Sequence, residues 1–151
     1  MSTSTTSAQL AVLDTNVVVY AHDERSAHHD AAKRLLLSAN DADAGLCVTP
    51  QTLAEFFAVV TSPKRVAHPR SAEEAVIATE QILQRPGITL LPTPADVVDR
   101  WLSLVRRFPV TQQRIFDLQL VATMLGNGVQ RIYTFNRADF DHIRELEVVM
   151  P

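Results

Sequence analysis

The sequence of 151 residues contains one cysteine, four glycines and eight prolines, and each scarcity excludes a class of protein. A single cysteine, Cys47, can neither form an internal disulfide nor build a cysteine cluster for zinc or iron. Because 46% of the residues are hydrophobic, the low glycine and proline content argues against disorder and collagen-like repeats. The sequence therefore predicts a folded protein with a sizeable core, and the lone cysteine favours a reducing cytoplasm.

Long apolar runs and a strong charge of one sign are also missing. No stretch approaches the roughly 18 apolar residues that a membrane span needs, so we expect no membrane association. Residues 1–8 are rich in Ser and Thr and contain no Lys or Arg, and we interpret them as a flexible tail rather than a secretory signal. Residues 9–151 are expected to form a single domain. The net charge of −3 excludes a strongly basic surface, so contact with nucleic acid must depend on local patches.

Short apolar segments alternate with helical patterns along the chain. The predicted strands cover residues 10–13, 46–48, 88–91, 131–135 and 147–150, and the predicted helices begin near residues 27, 50, 71, 93 and 115. Three of the helices have a capping residue at their start, namely Thr49, Ser71 and Thr93. Residues 17–21 fit either state, because three valines favour a strand whereas packing on a sheet favours a helix. The alternation predicts an α/β fold with a mostly parallel sheet covered on both faces.

Polar side chains follow two of the predicted strands. Asp14 comes directly after the first strand, and Asn136 holds the same kind of position after the fourth. Ligand sites of such sheets form at the carboxyl ends of the strands, so both side chains are candidates for a site. Asp and Asn also cap turns and helices, and that alternative stays open for each residue.

Three further acids have unusual surroundings. Asp117 shares a helix face with apolar side chains, where a carboxylate is rarely buried without a partner. For Asp117 the alternative is a helix cap or an ion pair with Arg114. Glu55 lies on a largely apolar helix, although it can also be a solvated side chain. Asp139 follows the fourth strand and either faces the same crevice or caps a short turn.

The convergence of these acids would have a chemical consequence. Their repulsion would raise their pKa values and destabilise the fold unless cations neutralised them. Oxygen donors without His or Cys select Mg²⁺ or Mn²⁺, which polarise a phosphoryl oxygen and activate a bound water for attack on a phosphodiester. The chain has neither a Gly-rich phosphate loop nor a G-x-S-x-G motif. Phosphoryl chemistry is therefore predicted for the four acids Asp14, Glu55, Asp117 and Asp139.

Basic residues lie next to the acids along the sequence. Lys64 and Arg65 follow one acid-bearing helix, Arg114 precedes another, and Arg137 follows the fourth strand. Such cations would let a polyanion approach an acidic pocket. We predict weak RNA contacts for these four side chains.

Four segments resemble, in the same order, the PIN-domain ribonucleases and among them the VapC-type toxins of bacterial toxin-antitoxin pairs. They are residues 12–17 (VLDTNV), 53–56 (LAEF), 116–118 (FDL) and 133–140 (YTFNRADF). The resemblance implies a three-layer α/β/α fold and an Mg²⁺- or Mn²⁺-dependent endoribonuclease that hydrolyses RNA with a metal-activated water. It also implies a homodimer and a small cognate antitoxin.

The resemblance also assigns roles to individual residues. Asp14 and Asp117 would be direct metal ligands, and Glu55 would be a further ligand or orient the attacking water. The residues expected to support them are Thr15, Asn16, Thr134 and Asn136.

Asn136 departs from the family pattern, since many members carry Asp there. A neutral amide can coordinate Mg²⁺ but supplies no charge, so the binding of a second ion stays open and Asp139 is the candidate replacement. One alternative is a degenerate PIN module that binds RNA or protein without cleavage. Another is an RNA-processing PIN nuclease that has no antitoxin.

Overall fold

Five short strands form one parallel sheet in a computed structural model that describes residues 9–151. The predicted tail over residues 1–8 lies outside the described residues. The strands are β1 (Ala11–Leu13), β2 (Leu46–Val48), β3 (Ile88–Leu90), β4 (Arg131–Tyr133) and β5 (Glu147–Val149). The helices are α1 (Thr15–Ala21), α2 (His29–Ser38), α3 (Pro50–Val60), α4 (Ala72–Leu83), α5 (Val97–Arg107) and α6 (Ile115–Gly126).

The strand order places the start of the chain at the centre of the sheet. The order is β3-β2-β1-β4-β5, and every pairing is parallel. The chain builds β2 and β3 on one side of β1 and then crosses to the other side for β4 and β5. The reversal leaves a crevice at the carboxyl ends of β1 and β4, which is where open α/β sheets bind ligands.

Helices cover both faces of the sheet, each over its own core. Consecutive residues of β1 point to opposite faces, so Leu13 packs with α1 to α4 and Val12 packs with α5 and α6. Both side chains are fully buried. The predicted three-layer α/β/α fold is confirmed, and the sheet is entirely parallel rather than mostly so.

The capping signals succeed at two of the three predicted helix starts. Thr49 accepts a hydrogen bond from the backbone of Thr52, and Ser71 forms a reciprocal capping box with Glu74. The prediction of a helix start at Thr93 is wrong, because α5 begins at Val97 after a turn. The Asp96 carboxylate at this start pairs with Arg100 at 3.0 Å rather than capping the helix.

Residues 17–21 adopt the helical alternative in α1. The Asp14 carboxylate accepts a hydrogen bond from the backbone N–H of Thr15, and this cap starts the helix directly after β1. Val17, Val18 and Val19 are all buried against the sheet, so tertiary packing outweighs the strand preference of the valines. None of the helices within residues 9–151 is both long and apolar enough to cross a membrane.

Candidate active site

The register of the two central strands brings Asp14 and Thr134 together. Leu13 of β1 pairs with Tyr133 of β4, so the next residue of each strand emerges at the same edge of the sheet. The backbone N–H of Asp14 donates to the carbonyl of Tyr133 at 3.0 Å, which fixes this alignment. The Thr134 hydroxyl then donates to Asp14 Oδ2 at 2.8 Å.

The hydrogen-bonding capacity of Thr134 is fully used. Its Oγ1 accepts the backbone N–H of Asn136 at 3.0 Å and the Asn16 side-chain amide at 3.3 Å. With both acceptor positions filled, the hydroxyl hydrogen is directed to Asp14. Asn16 also donates to Asp14 Oδ2 at 3.3 Å, and Thr15 N–H donates to Oδ1 at 2.8 Å. Both oxygens of the Asp14 carboxylate are therefore held by neighbouring groups.

Glu55 reaches the same region from the middle of α3. The Thr15 hydroxyl donates to Glu55 Oε2 at 2.6 Å, which ties the start of α1 to α3. On the other side of the carboxylate, Gln51 Nε2 donates to Glu55 Oε1 at 2.9 Å. The same amide group donates to the carbonyl of Phe116 at 2.9 Å, so it also links α3 to the first turn of α6. These contacts orient Glu55 through both of its oxygens.

Asp14 and Asp117 have strongly perturbed acidities. Burial raises the pKa of Asp14 to about 6, and the charges of Glu55 and Asp139 add to the rise against the opposing hydrogen bonds from Thr134 and Thr15. Burial raises the pKa of Asp117 to about 7, with further contributions from Asp139, Asp14 and Glu55, while Arg114 opposes the rise. Raised carboxylate pKa values of this kind cluster at functional sites. The four predicted acids thus lie within electrostatic range of one another.

Arg114 and Asp139 sit at the rim of this group. The Arg114 guanidinium lies 4.0 Å from Asp139 Oδ1, and both side chains are partly exposed. The ion pair that the sequence offered as an alternative for Asp117 is therefore made by Asp139. Asp117 lies in the first turn of α6, and no hydrogen bond within residues 9–151 reaches its carboxylate. Neither sequence-based alternative for Asp117 applies, and its carboxylate is free to bind a ligand.

The other predicted residues lie at different distances from the acids. The backbone of Asn136 joins the Thr134 network, and its side chain is exposed. Arg137 lies beside it and approaches Asp141 at 3.8 Å. Lys64 and Arg65 are exposed beyond the carboxyl end of α3, whereas Glu55 lies five residues before that end. Of the four predicted basic residues, Arg114 thus borders the acids, Arg137 pairs with Asp141, and Lys64 and Arg65 follow the far end of α3.

The donor set fits a hydrated divalent cation better than an enclosed metal cage. Among the residues that the structure describes, no three His, Cys, Asp or Glu side chains are arranged to hold one ion. Mg²⁺ commonly binds through one or two carboxylates and completes its coordination with water and substrate phosphate. Asp14 and Asp117 offer two such carboxylates, and their raised pKa values reflect anionic oxygens that a cation would stabilise.

Sequence reasoning missed Gln51 and Phe116. The spacing of Gln51 from Glu55, four residues on one helix, was the only signal for Gln51. Both missed residues line a cavity of about 400 Å³ that Glu55 also borders. A larger cleft of about 570 Å³ lies between the carboxyl ends of α1 and α3 and the start of α4, and none of the four acids lines it.

Comparisons with known proteins agree with this architecture. A family model described as PIN domain matches residues 11–146. Ribonuclease VapC24 of Mycobacterium tuberculosis is 27% identical over 125 residues, which cover 82% of this chain and 84% of that protein.

Solved structures show the same fold at lower identity. One is the crystal structure of Mycobacterium tuberculosis VapC20, described as a sarcin-ricin loop cleaving toxin, with a TM-score of 0.68, 18% identity and coverage of 93% of this chain and 99% of that chain. Another is VapBC2 of Rickettsia felis bound to a DNA fragment from their promoter, with a TM-score of 0.65, 17% identity and coverage of 95% and 99%. The family match spans strands β1 to β4, all six helices and all four acids, and the chain therefore belongs to the PIN domain family.

Proposed function

We propose that this protein is a metal-dependent endoribonuclease and the toxin of a VapBC-type toxin-antitoxin pair. The observation that carries the proposal is the convergence of Asp14, Glu55, Asp117 and Asp139 from four separate segments. Burial, together with the charges of the neighbouring acids, raises the pKa of Asp14 to about 6 and that of Asp117 to about 7. The similarity to ribonuclease VapC24 supports cleavage of RNA.

The proposed role of each residue follows from its contacts. Asp14 and Asp117 would hold Mg²⁺ or Mn²⁺, and the ion would supply a water of lowered pKa and charge stabilisation at the scissile phosphate. Glu55 is oriented through both oxygens by Thr15 and Gln51, so it can accept a proton from the attacking water in a fixed direction. Asp139 completes the acidic rim.

Supporting residues keep the Asp14 carboxylate in place. Thr134, Thr15 and Asn16 orient Asp14, and the backbone of Asn136 directs the Thr134 hydroxyl. Arg114 borders the acids and offsets their repulsion of an incoming phosphodiester, and Arg137, which lies beside Asn136, is a further contact for the RNA.

The partners follow from the relatives that share this fold. A small antitoxin protein would bind this chain, as the VapBC structures of Rickettsia felis and Haemophilus influenzae and the toxin-antitoxin complex of Klebsiella pneumoniae suggest. We further propose a homodimer that acts in the cytoplasm, with residues 9–151 as its single domain.

The experiment that tests this function is an RNA cleavage assay. Purified wild-type protein should cleave structured RNA with Mg²⁺ or Mn²⁺ and lose that activity with a chelator. Asp14→Asn and Asp117→Asn should each lose about a hundredfold or more, because each removes a metal-binding oxygen. Asp99→Asn, on an exposed position of α5, is the matched control. Equal cleavage by all four proteins would indicate a contaminating nuclease and contradict the proposal.

A degenerate PIN module is the second candidate, and two observations favour it. Asn136 is neutral where many relatives carry Asp, and the described residues hold no group of three metal-binding side chains. Calorimetric titration separates the two functions. Absence of binding at millimolar Mn²⁺ together with intact RNA binding would favour the module.

The third candidate, an RNA-processing nuclease without an antitoxin, is tested by the genome. A short open reading frame immediately upstream would support the toxin, and its absence would favour RNA processing.

A further inference from the structure

A second cavity shares Glu55 with the candidate active site. Its volume is about 400 Å³, and it lies between α3, the first turns of α6 and the segment after β3. Its walls include Gln51, Glu55, Thr93, Phe116, Gln119 and Thr123. Phe116 immediately precedes Asp117, so a nucleotide whose phosphate lies at the acids has its base within reach of this cavity. We call it the base cavity.

The chemistry of the walls disfavours a charged occupant. None of the residues that line the base cavity is Lys, Arg or His, so a phosphate group would find no cation there. A single carboxylate, that of Glu55, is present and is already held by Thr15 and Gln51. The remaining walls combine apolar surface with amides and hydroxyls. Such a lining suits a neutral, planar group with hydrogen-bonding edges.

Phe116 gives the cavity an aromatic surface. Its side chain is 43% exposed, and it is the only aromatic residue among the exposed large hydrophobic residues of the described chain. The exposed face of the ring lies on the cavity wall and is available for contact with a planar group. Nucleobases released from a stack bind to such rings in proteins that recognise single-stranded RNA.

The amide of Gln51 leaves one hydrogen bond unmade. Both partners of its nitrogen, Glu55 Oε1 and the carbonyl of Phe116, are acceptors, so the orientation of the amide is settled by the network. The opposite atom, Gln51 Oε1, is buried and has no donor. The Gln51 amide is thereby fixed as part of the cavity wall, and its buried Oε1 is not accessible to an occupant of the cavity.

We propose that the base cavity receives the nucleobase adjacent to the scissile phosphate. Phe116 stacks on the ring, and the amide of Gln119 contacts its edge. This inference rests on the proposed ribonuclease function for the position of the phosphate. The inference identifies the base cavity as the part of the protein that selects the RNA sequence at the cleavage site.

The test compares two substrates and three variants. The substrates are an oligoribonucleotide that the protein cleaves and the same strand with an abasic residue beside the cleaved bond. The variants are Phe116→Leu, which keeps apolar volume but removes the ring, Gln119→Ala, and the control Leu102→Ala on α5, which is 41% exposed. Thermal unfolding of each variant confirms that it is folded.

A base held in the cavity has a measurable signature. Removal of the base should lower the kcat/KM of the wild type and of Leu102→Ala by about 5- to 150-fold, the range expected for base–aromatic stacking. Phe116→Leu should lose most of that dependence, and Gln119→Ala should alter the preference among the four bases at this position. An abasic strand cleaved as well as its parent would overturn the inference. An equal abasic penalty in Phe116→Leu and the wild type would also overturn it.

The same strands separate this inference from the proposed function. If the wild type cleaves no RNA, the ribonuclease function fails, and the inference is judged from the Kd of single strands with and without the base. A base dependence of the Kd that requires Phe116 would support the cavity as a base site. Absent binding, or binding without that dependence, would overturn it.

Discussion

At the residue scale, one hydroxyl controls the geometry and acidity of the central carboxylate. Thr134 donates to Asp14 and accepts from Asn136 and Asn16, so it joins the ends of β1 and β4. Its hydrogen bond lowers the pKa of Asp14 against the upward effect of burial. Thr134 is therefore a positioning residue whose loss should affect both activity and its pH dependence.

Thr134→Val should reduce the metal-dependent cleavage rate by about 10- to 100-fold, the usual effect of losing a group that orients a metal ligand. The pKa of Asp14 should rise above about 6, because the hydrogen bond that lowers it is gone. The acidic limb of the pH–rate profile should then move to higher pH. Thr89→Val, at an exposed position of β3, is the matched control. A lower rate with an unmoved acidic limb would contradict the role assigned to Thr134.

Asp117 should make the metal-free protein less stable as the pH rises. Burial raises its pKa to about 7 in the folded state from the ordinary value of 3.8, so folding favours its protonated form. The stability gained from this form is full below pH 4 and is lost between about pH 4 and pH 7. Divalent cations should reverse the loss, because they stabilise the ionised form.

Asp117→Asn removes this pH dependence and tests it directly. After discounting for the partly exposed side chain, we expect a gain of about 1 kcal/mol at pH 8, or a Tm increase of about 2–4 °C. At pH 4 the variant and the wild type should unfold at the same temperature. Thermal unfolding without metal between pH 4 and pH 8 measures the difference. A constant difference across this range would exclude titration of Asp117 as its cause.

At the element scale, the sequence predicted the type of almost every helix and strand but not the place where each one begins. Alternating apolar segments marked the five strands, because strand and helix periodicities differ. The prediction of a helix start at Thr93 was wrong. The Asp96 carboxylate, which would complete a capping box with Thr93, pairs with Arg100 instead, and the sequence pattern alone does not show which of these two partners it takes. The state of residues 17–21 depended on burial against the sheet, which is a property of the assembled layers.

Gly87 is required where the α2–β2 connection meets the start of β3. A Cβ atom at this position would lie 2.8 Å from the Cβ of Ala44, and it would also clash with the backbone carbonyl of Asp41. Gly87→Ala should therefore lower the free energy of unfolding by about 1–3 kcal/mol. Chemical denaturation at equilibrium measures this change.

Gly128→Ala provides a comparison without a steric clash. Its added Cβ would meet nothing within 4 Å, although its φ of +72° disfavours an L side chain. We expect a loss of about 1 kcal/mol from the backbone conformation alone. A Gly128 variant less stable than the Gly87 variant would contradict the steric explanation.

At the scale of the whole molecule, charge position matters more than the net charge of −3. Arg114 lies beside Asp139 and opposes the raised pKa of Asp117, whereas Lys64 lies beyond the end of α3. The sequence grouped these cations because each follows or precedes an acid-bearing helix. The sequence does not show that Lys64 and Arg65 lie at the end of α3 that is remote from the acids. It also does not show that Gln51 and Phe116, which are far apart along the chain, are in contact.

RNA binding should therefore depend on Arg114 and not on Lys64. Arg114→Gln should reduce the slope of log K against log salt concentration by about 0.7, the value for one contact with a single-stranded phosphate. Lys64→Gln should leave the slope unchanged. Fluorescence titration of a single-stranded RNA at several salt concentrations, with Asp14→Asn as the background to prevent cleavage, measures both slopes. An equal decrease of the slope in both variants would indicate that the RNA lies along α3 instead.

The late position of β4 has a consequence for the cell that makes this protein. Asp14 and Glu55 leave the ribosome early, yet the hydroxyl that orients Asp14 belongs to Thr134, near the end of the chain. A nascent or prematurely terminated polypeptide that ends before β4 carries acids without their alignment. We therefore expect nuclease activity to arise only when the synthesis of the chain is almost complete.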